Sequence, residues 1–575
     1  MFRGEEKKNC CEWEGVQCSN TTGHITMLNL TTYVYGHDFI LRESISSLNK
    51  IQHLDLFNCN LSGSLPSQLA NLISLQYLDL GYNNFNSVKN LEWLSRLSYL
   101  QYLYLSEIDL SKVNNDWLQV INKLPHLTNL SLYRCNLRDV IPQYVPIINT
   151  SSTSLVHLDL GSNNLTASTF QWLFNFSNSL VSLRLRFNQF RGPIPETFSH
   201  MTLLERLSLS YNQFEGEIPK SFWSGNLSSL RYLYLSSNKL SGDIPKSIGL
   251  LSKLEVLDIS FNSFNGVITE EHFSTLSNLW SLGMSSNNLS INFSRDWIPP
   301  FQLKHIRLGS CKLGPDFPSW LKTQRNFIFL NISANRISNG IPIWFSTLPS
   351  TALGIEYHYE NLTFQRTIDL SSNKLTGEIP VQISSLFEMH QLNLSRNHLI
   401  GRIPPDIGQI RQLESLDLSH NRLSGRLPLS MSQLYSLSKL DLSYNNISGR
   451  IPTSTQMDTF NASAFAGNPT LCGPPLTPSC PGDEKLIDDG IKYNQQDKDE
   501  FWKAFQPSMK LGMAFGFLGV LALKIDHPWK HVCFLLSNYM EVYLSNLKDC
   551  LCLIVSALCL VITASAAGLR RKLKF

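Results

Sequence analysis

Apolar residues recur along this chain in one fixed order, separated by polar positions. The cleanest copy is Leu413-Glu-Ser-Leu416-Asp-Leu418-Ser-His-Asn421-Arg-Leu423-Ser-Gly425-Arg-Leu-Pro428, and the next copy begins 24 residues later at Leu437. The alternating leucines predict a short strand with one buried face, because successive strand side chains point to opposite sides. The asparagine that follows is expected to turn the chain and to bond buried backbone groups, which need partners.

This spacing, L-x-x-L-x-L-x-x-N-x-L, is that of leucine-rich repeats. It predicts an α/β solenoid, a right-handed curved superhelix of about 17 repeats. The Gly-x-Ile-Pro ending of the repeats resembles the plant-specific subtype. The asparagine position falls at Cys59, Asn83, Ile108, Cys135, Asn163, Asn188, Asn212, Asn238, Asn262, Asn287, Cys311, Asn335, Asn373, Asn397, Asn421 and Asn445. Cysteine at this position is expected to be a small core residue. Isoleucine cannot make the asparagine's bonds, so a local irregularity is expected at Ile108.

Cysteines and glycosylation signals flank and decorate the array. Cys10, Cys11 and Cys18 precede it, and Cys472 and Cys480 follow it. Such clusters predict disulfide-stapled caps and an oxidising compartment, and their spacing does not match the paired C-x-x-C of zinc ribbons. The sequence N-x-S/T predicts glycosylation at Asn20, Asn29, Asn60, Asn129, Asn149, Asn164, Asn175, Asn226, Asn288, Asn292, Asn331, Asn361, Asn393, Asn446 and Asn461.

Both ends of the array resemble the caps of plant leucine-rich-repeat receptor-like proteins. Residues 9–18, Asn-Cys-Cys-Glu-Trp-Glu-Gly-Val-Gln-Cys, resemble the end of the N-terminal cap, and residues 457–480 resemble the C-terminal cap. The resemblance is greatest to the group that includes receptors for fungal ethylene-inducing xylanase. It implies that Cys11 pairs with Cys18 and Cys472 with Cys480, and it leaves Cys10 without an obvious partner.

Two further segments carry the same resemblance. Residues 346–363 resemble the island that splits the array of these receptors, although a surface loop without a role is equally compatible with the sequence. The segment Ser508-Met-x-Leu-Gly-x-x-x-Gly516-Phe resembles the family's membrane anchor. Gly512, Gly516 and Gly519 have the small-residue spacing that permits close helix packing in lipid.

The expected organisation follows from these segments. The divisions are 1–24, a partial N-terminal cap; 25–345, a first block of repeats; 346–363, a short island or loop; 364–453, a membrane-proximal block; 454–480, a C-terminal cap; 481–503, an acidic juxtamembrane spacer; 504–525, a transmembrane helix; and 526–575, a tail with a second apolar segment at 551–569. One span would place the basic end inside the cell, as the positive-inside rule prefers, and two spans stay open because 551–569 is long and uncharged.

The start of the chain departs from the family. It opens Met-Phe-Arg-Gly-Glu-Glu-Lys-Lys, without the apolar core of a signal peptide. Together with the odd Cys10, this predicts an N-terminally truncated sequence.

Enzymatic and nucleic-acid functions have little support. The chain has no G-x-G-x-x-G loop, P-loop, H-R-D or D-F-G set, or H-E-x-x-H, so no catalytic residue, cofactor or metal is expected. A net charge of +3 over 575 residues gives no case for nucleic acid. The family resemblance instead implies a kinase-less plasma-membrane receptor, with its ectodomain outside. It would bind a microbial protein or peptide and recruit a receptor-kinase adaptor and co-receptor for defence.

Two alternatives stay open: an inhibitor of a microbial cell-wall hydrolase, like the polygalacturonase-inhibiting proteins, and a non-functional truncated receptor copy. A binding face can be predicted whether the chain is a receptor or an inhibitor. Residues between and beside the strand leucines face the open side, and Tyr, Trp and Arg carry binding energy at interfaces. The candidate ligand face is Arg184, Arg186, Arg206, Tyr211, Tyr232, Tyr234, Trp280, Lys304, His305 and Arg307. Between His157 and Trp280 no glycosylation signal lies between the strand leucines, whereas Asn331 and Asn393 do.

Overall fold

The computed structural model describes residues 9–31, 39–41, 43–86, 88–113, 117–139, 155–347 and 365–481. All of them belong to the first of two units, Met1–Asp483 and Glu484–Phe575. Several predicted features lie outside the described residues: the anchor at 504–525 with Gly512, Gly516 and Gly519, the segment at 551–569, nearly all of the spacer, most of the island, and the glycosylation signals at Asn149 and Asn361.

In the part of the chain that the structure describes, no helix combines the length and apolarity needed to cross a bilayer.

Short parallel strands, one from each coil, form the main sheet. It has 18 strands among the described residues, and the sole antiparallel pairing joins Val16–Cys18 to Ile25–Asn29. The other strands are His53–Asp55, Tyr77–Asp79, Tyr102–Tyr104, Asn129–Ser131, His157–Asp159, Ser182–Arg184, Arg206–Ser208, Tyr232–Tyr234, Val256–Asp258, Ser281–Gly283, His305–Arg307, Phe329–Asn331, Arg366–Asp369, Met389–Asn393, Ser415–Asp417 and Lys439–Asp441. The predicted leucine-rich-repeat solenoid is confirmed.

Smaller parallel sheets form after the asparagine turn, where several repeats read Leu/Phe-x-Gly-x-Ile/Leu-Pro. Their strands are Phe39–Ile40, Leu61–Gly63 and Asn84–Phe85; Arg191–Gly192, Gln213–Glu217, Lys239–Asp243 and Ser263–Asn265; Val267–Ile268 and Ser290–Ile291; and Ser424–Arg426, Asn446–Arg450 and Thr470–Cys472. Glycine at these strands adopts positive φ, for example 83° at Gly425, a conformation with little penalty for a residue without Cβ.

Helical turns close each coil on the side away from the main sheet. The two α-helices among the described residues are Trp117–Asn122 and Phe170–Leu173. The 3₁₀ segments are Cys10–Glu12, Glu43–Ser47, Ser67–Asn71, Glu92–Arg96, Ala167–Thr169, Phe174–Phe176, Glu196–His200, Lys220–Trp223, Lys246–Leu250, Glu270–His272, Ser319–Thr323, Ile343–Thr347, Val381–Ser385, Ile407–Gln409, Leu429–Gln433, Met457–Thr459 and Ala462–Phe465. Eight of these 17 segments begin directly after a proline.

The buried apolar residues of the described coils form one cluster along the array. From His53–Asp55 onward, the middle residue of each three-residue strand of the main sheet, such as Leu207 or Leu416, is buried, as the alternation predicts. Large rings fill the space beneath the turns, where Trp117 packs edge-on against Trp172 with ring centroids 5.6 Å apart. Each coil therefore buries its apolar side only against its neighbours, as in other solenoids.

The repeated asparagines, here called ladder asparagines, are satisfied as predicted. Asn188 donates from Nδ2 to the carbonyls of Leu160, 2.9 Å away, and Leu185, 3.1 Å away. Its Oδ1 accepts the N–H of Leu165 at 3.0 Å. One side chain thus bonds its own coil and the preceding coil, which aligns the two.

Cys59, Cys135 and Cys311 are buried at the same position, which confirms their placement in the core. The irregularity expected at Ile108 is absent, so that expectation is wrong. Glu107 keeps the left-handed φ of the other turns, 64°, and donates its N–H to the carbonyl of Tyr133 at 2.8 Å. The carbonyl of Leu105 accepts from both Ile108 N and Cys135 Sγ, each at 3.1 Å, and therefore does not need an asparagine.

The ladder continues across residues 346–363. Strand Phe329–Asn331 pairs directly, in register, with Arg366–Asp369. Asn373 accepts the N–H of Asn335 on Oδ1 at 2.9 Å. The two predicted blocks of repeats are therefore one continuous stack in the described region.

Disulfides close both ends of the array. The sulfurs of Cys11 and Cys18 are 1.99 Å apart, and those of Cys472 and Cys480 are 2.05 Å apart. The C-terminal segment also adds a coil, because Asn468 donates from Nδ2 to the carbonyls of Leu442 and Phe465, each at 3.0 Å. The last apolar layer is thereby covered, which a solenoid requires.

Candidate functional site

The open side of the main sheet, here called the strand face, carries the two outer residues of each strand. The register is uniform: Arg206 pairs with Tyr232 and Ser208 with Tyr234. Side chains of successive coils therefore form straight rows at one strand spacing, about 4.8 Å. In repeat solenoids this face lines the concave binding surface.

Arg206 and Tyr232 are buried within this face. The Arg206 guanidinium lies 3.9 Å from the centroid of the Tyr232 ring and 5.8 Å from that of Tyr234. The Tyr232 hydroxyl donates to Glu255 Oε2 at 2.7 Å, and Arg231 Nε donates to the other oxygen of Glu255 at 2.7 Å. These contacts hold this part of the strand face in place. Arg206 and Tyr232 therefore support their neighbours from inside the face.

His305 is likewise internal. Its ring packs edge-on against Trp280, with centroids 5.7 Å apart. Burial, aided by the charges of Arg307 and Lys304, lowers the pKa of His305 to about 4. The imidazole is therefore neutral at neutral pH.

Three further cations on the candidate face have ring or carboxylate neighbours. Arg184 Nη1 lies 3.5 Å from Asp159 Oδ2. The guanidinium of Arg186 lies 5.1 Å from the ring of Tyr133, and that of Arg307 lies 5.2 Å from the ring of Phe329. These contacts hold the planar groups in defined orientations, which favours recognition of a shaped ligand.

A groove with a volume of about 530 Å³ crosses seven coils of the strand face. Five residues of the predicted ligand face line it: Arg186, Tyr211, Tyr234, Trp280 and Arg307. The other five, Arg184, Arg206, Tyr232, Lys304 and His305, are not among its lining residues. The groove floor is rich in short hydroxyl side chains: Ser208, Ser210, Ser236, Ser260, Ser281 and Ser285.

Three aromatic residues at the groove were not predicted from the sequence: Phe187, Phe261 and Phe329. Phe187 and Phe261 each stand immediately before a ladder asparagine, here called the turn position. That position adopts left-handed φ in nearly every coil, for example 55° at Phe187, Tyr211 and Phe261. The signal was therefore present, because a ring directly before the asparagine recurs in several repeats.

The described glycosylation signals are accessible, since none of their asparagines is buried. Asn331 lies at the end of strand Phe329–Asn331 and lines one end of the groove. Its Nδ2 lies 3.3 Å from Asp369 Oδ2.

The three N-terminal sulfurs of Cys10, Cys11 and Cys18 lie within 4.8 Å of one another. Two of them share a disulfide, which supplies no thiolate, and thiolate is the form that binds metal.

Asp79 ends strand Tyr77–Asp79, and its carboxyl group is buried in the strand face. Burial and, secondarily, the charge of Asp55 raise the pKa of Asp79 to about 7, against the lowering effect of the Gly81 N–H, which donates to Oδ1 at 2.8 Å. An acid whose folded-state pKa is raised holds its proton longer when folded. Its stability contribution is complete below about pH 4 and is lost as the pH rises to about 7.

We expect Asp79→Asn to raise the thermal midpoint at pH 8 and to leave it nearly unchanged at pH 4. The amide can still accept the Gly81 N–H, while the penalty for a buried charge, on the order of 2 kcal/mol, is removed. Thermal unfolding from pH 4 to pH 8 measures this. Asp441→Asn is the matched control, because Asp441 ends its strand in the same way and bonds the N–H of Ser443 at 3.0 Å, but is less buried. If the thermal midpoint changed with pH equally in the wild type and in Asp79→Asn, the expectation would be contradicted.

Comparison with known proteins gives a consistent result. The family model described as "Leucine rich repeat" matches residues 178–240, 216–264 and 228–289, and two related repeat models match residues 50–72, 366–386, 388–410, 412–434 and 436–456, and 151–168. Receptor-like protein EIX1 of Solanum lycopersicum is 31% identical over 545 residues, 66% of this chain and 53% of that protein. Receptor-like protein EIX2 of the same species is 31% identical over 568 residues, 67% of this chain and 54% of that protein. The chain spans about half the length of these relatives.

Solved structures with the same kind of repeat also align with the chain. The Arabidopsis receptor kinase HAESA, in complex with the peptide hormone IDA and the co-receptor SERK1, aligns with a TM-score of 0.44 and 23% identity, over 82% of this chain and 94% of that one. A leucine-rich-repeat protein of Leptospira interrogans aligns with a TM-score of 0.47 and 25% identity, over 72% of this chain and 95% of that one.

Proposed function

The chain belongs to the plant leucine-rich-repeat receptor-like protein family, and on that premise we propose that it is a kinase-less immune receptor of the cell surface. It binds a microbial protein or peptide in the groove of the strand face and signals by recruiting receptor kinases. The observation that carries the proposal is the groove itself. Arg186, Tyr211, Tyr234, Trp280 and Arg307 converge there from five different coils.

The chemistry of the groove suits a polypeptide ligand. Aromatic rings and guanidinium groups supply the contact area and the directional hydrogen bonds that dominate protein interfaces. The serine hydroxyl groups of the groove floor supply hydrogen-bond donors and acceptors for a ligand backbone. Because serine side chains are short, the ligand backbone can approach the floor closely. A glycan on Asn331 would bound the groove at one end.

Membrane attachment and kinase recruitment form the second half of the proposal. Segment 504–525 would anchor the chain in the plasma membrane, with the ectodomain outside, and Gly512, Gly516 and Gly519 would pack against a partner helix. These residues lie outside the described part of the chain, so their support comes from the sequence alone.

Replacing Arg186, Tyr211, Tyr234 and Trp280 together by alanine is expected to abolish the response to a ligand. The full chain is displayed on the surface of leaf cells and exposed to fungal ethylene-inducing xylanase and then to fractionated fungal culture filtrate. The oxidative burst is the readout. Four hot-spot truncations of this kind lower affinity by about a thousandfold or more.

The control replaces Tyr99, Ile298 and Tyr435 by alanine, since these exposed apolar residues lie outside the strands of the main sheet. It should respond like wild type, with equal surface amounts of all three proteins. A full response from the fourfold variant would refute the groove as the ligand site. Inhibition of a fungal polygalacturonase by the chain, with no cellular response, would refute the receptor function.

A further inference from the structure

Side chains at the turn position stand in a regular row along one edge of the strand face. Their backbones are fixed identically, because each N–H donates to a carbonyl of the next coil: Tyr211 to Ser236 at 2.9 Å, and Phe261 to Ser285 at 2.8 Å. Rings in adjacent coils therefore stack. Phe187 and Tyr211 are parallel within 10°, with centroids 4.1 Å apart.

The same stacking occurs far from the groove. His420 and Tyr444 occupy the turn positions of two adjacent coils, and their rings lie 4.4 Å apart at an interplanar angle of 12°. Face-to-face stacking is thus a property of the turn position whenever neighbouring coils both carry rings.

Ser237 interrupts the row between Tyr211 and Phe261. It has the same left-handed φ, 57°, and donates its N–H to the Ser260 carbonyl at 2.9 Å, so the coil itself is regular. Tyr211 and Phe261 are consequently two coils apart, about 9.5 Å at the usual strand spacing. Stacked rings require about 4.5 Å between centroids, so the space above Ser237 has the width of one aromatic ring.

The walls of this space are accessible and adjoin the groove. Tyr211 is 50% exposed and Phe261 is 59% exposed, and both line the groove. Exposed apolar rings on a soluble surface commonly mark an interaction site when they are grouped.

A second observation points to a ligand at the same place. Ser260, which directly precedes Phe261 and also lines the groove, is only 2% exposed. Its Oγ has no hydrogen-bond partner among the described residues. A buried hydroxyl without a partner is unfavourable, and a polar atom of a ligand in the groove would relieve that penalty.

We propose that the space between Tyr211 and Phe261, above Ser237, is a socket for one aromatic side chain of the polypeptide ligand. The ligand's ring completes a stack of four that begins at Phe187, and an adjoining polar group of the ligand bonds Ser260 Oγ. The socket rests on the proposed function, because it assumes a ligand in the groove, and it adds a required feature of that ligand.

The test fills the socket with the chain's own ring. Ser237→Tyr should fold, since tyrosine already occupies the turn position at Tyr82, Tyr211 and Tyr444. Ser372→Tyr is the matched control, because Ser372 has the same conformation, with φ 55°, and does not line the groove. A phage library of random dodecapeptides is selected on the detergent-solubilised wild-type full chain, and the selected peptides are then measured on each variant.

The selected peptides are expected to share one Phe, Tyr or Trp position, and changing it to Leu should weaken binding about tenfold. Ser237→Tyr should weaken the same peptides by about tenfold or more, and Ser372→Tyr should not. Unchanged affinity for Ser237→Tyr, arginine at the shared position, or no aromatic consensus would overturn the socket.

The variant Arg186→Ala/Tyr234→Ala/Trp280→Ala separates this outcome from failure of the groove. Peptides that bind Ser237→Tyr normally but no longer bind this triple variant would refute the socket and support the groove as the ligand site. Peptides that bind this variant normally would count against the proposed ligand site as well.

Discussion

Asn421→Ala is expected to lower the free energy of unfolding by about 3–4 kcal/mol. The Asn421 side chain is buried, and its Nδ2 donates to the carbonyls of Leu394 at 3.0 Å, Leu418 at 3.1 Å and Ser419 at 3.2 Å. Its Oδ1 accepts the N–H of Leu399 at 3.1 Å. Alanine would leave these backbone groups buried without partners, at about 1–3 kcal/mol for each well-made bond, partly offset by water entry.

Chemical denaturation, followed by circular dichroism, should show this loss. The first unfolding transition is expected at a lower denaturant concentration than in the wild type. Coils contact only their neighbours, so the effect is expected around the altered coil. Asn84→Ala is the control: Asn84 is exposed and donates to Asn60 Oδ1 at 3.0 Å. It should change the free energy of unfolding by less than about 0.5 kcal/mol. Equal effects for Asn421→Ala and Asn84→Ala would contradict the role of the ladder.

Gly408→Ala is expected to destabilise the chain by about 2–3 kcal/mol through backbone crowding. A Cβ at Gly408 would overlap the carbonyl oxygen of Ser430 and would lie 2.6 Å from its carbonyl carbon. The Gly408 N–H also donates to Ser430 Oγ at 3.2 Å, so the two coils are held close. Backbone atoms cannot rotate away, and the coils would have to separate.

Gly249→Ala is the matched control for Gly408→Ala. Gly249 follows an isoleucine in the 3₁₀ segment Lys246–Leu250, as Gly408 does in Ile407–Gln409. An added Cβ at Gly249 would meet the Thr275 side chain, with Oγ1 at 2.9 Å, and that side chain can rotate. Thermal unfolding should show a clearly smaller loss for Gly249→Ala. The same midpoint for both variants would exclude crowding between coils as the cause.

The regular coils could be predicted because each repeats the same physical problem. Leucine alternation defines the buried side of every strand, and the turn leaves carbonyls that asparagine can satisfy. The coil at Asn468 was missed for the same reason. Its two strand leucines are replaced by Ser463 and Phe465, and its backbone bonds the preceding coil as usual: Leu442 N donates to the Ala464 carbonyl at 2.7 Å. Backbone pairing persists there although the apolar pattern does not.

The candidate site was only partly predictable. Strand alternation correctly places Tyr234 and Arg307 on the open face, but it cannot show which cations are engaged by neighbours. Arg206 and Tyr232 are buried because the ring, the guanidinium and Glu255 happen to fit across adjacent coils. Such fit depends on residues about two dozen positions apart in the chain. Phe187 and Phe261 were missed because the strand pattern ends before the turn position.

The thiols of Cys59, Cys135 and Cys311 bear on how the cap disulfides keep their partners. Burial raises the pKa of Cys59 to about 11 and that of Cys311 to about 12, and it raises that of Cys135 as well. Each thiol donates to a carbonyl of the preceding coil, as Cys311 Sγ does to Met284 at 3.2 Å. Disulfide exchange requires a thiolate, so coil closure makes these cysteines inert towards the caps. In a chain whose coils have not yet formed, all three thiols can form wrong disulfides with the cap cysteines. Correct disulfide pairing therefore depends on the coils forming first.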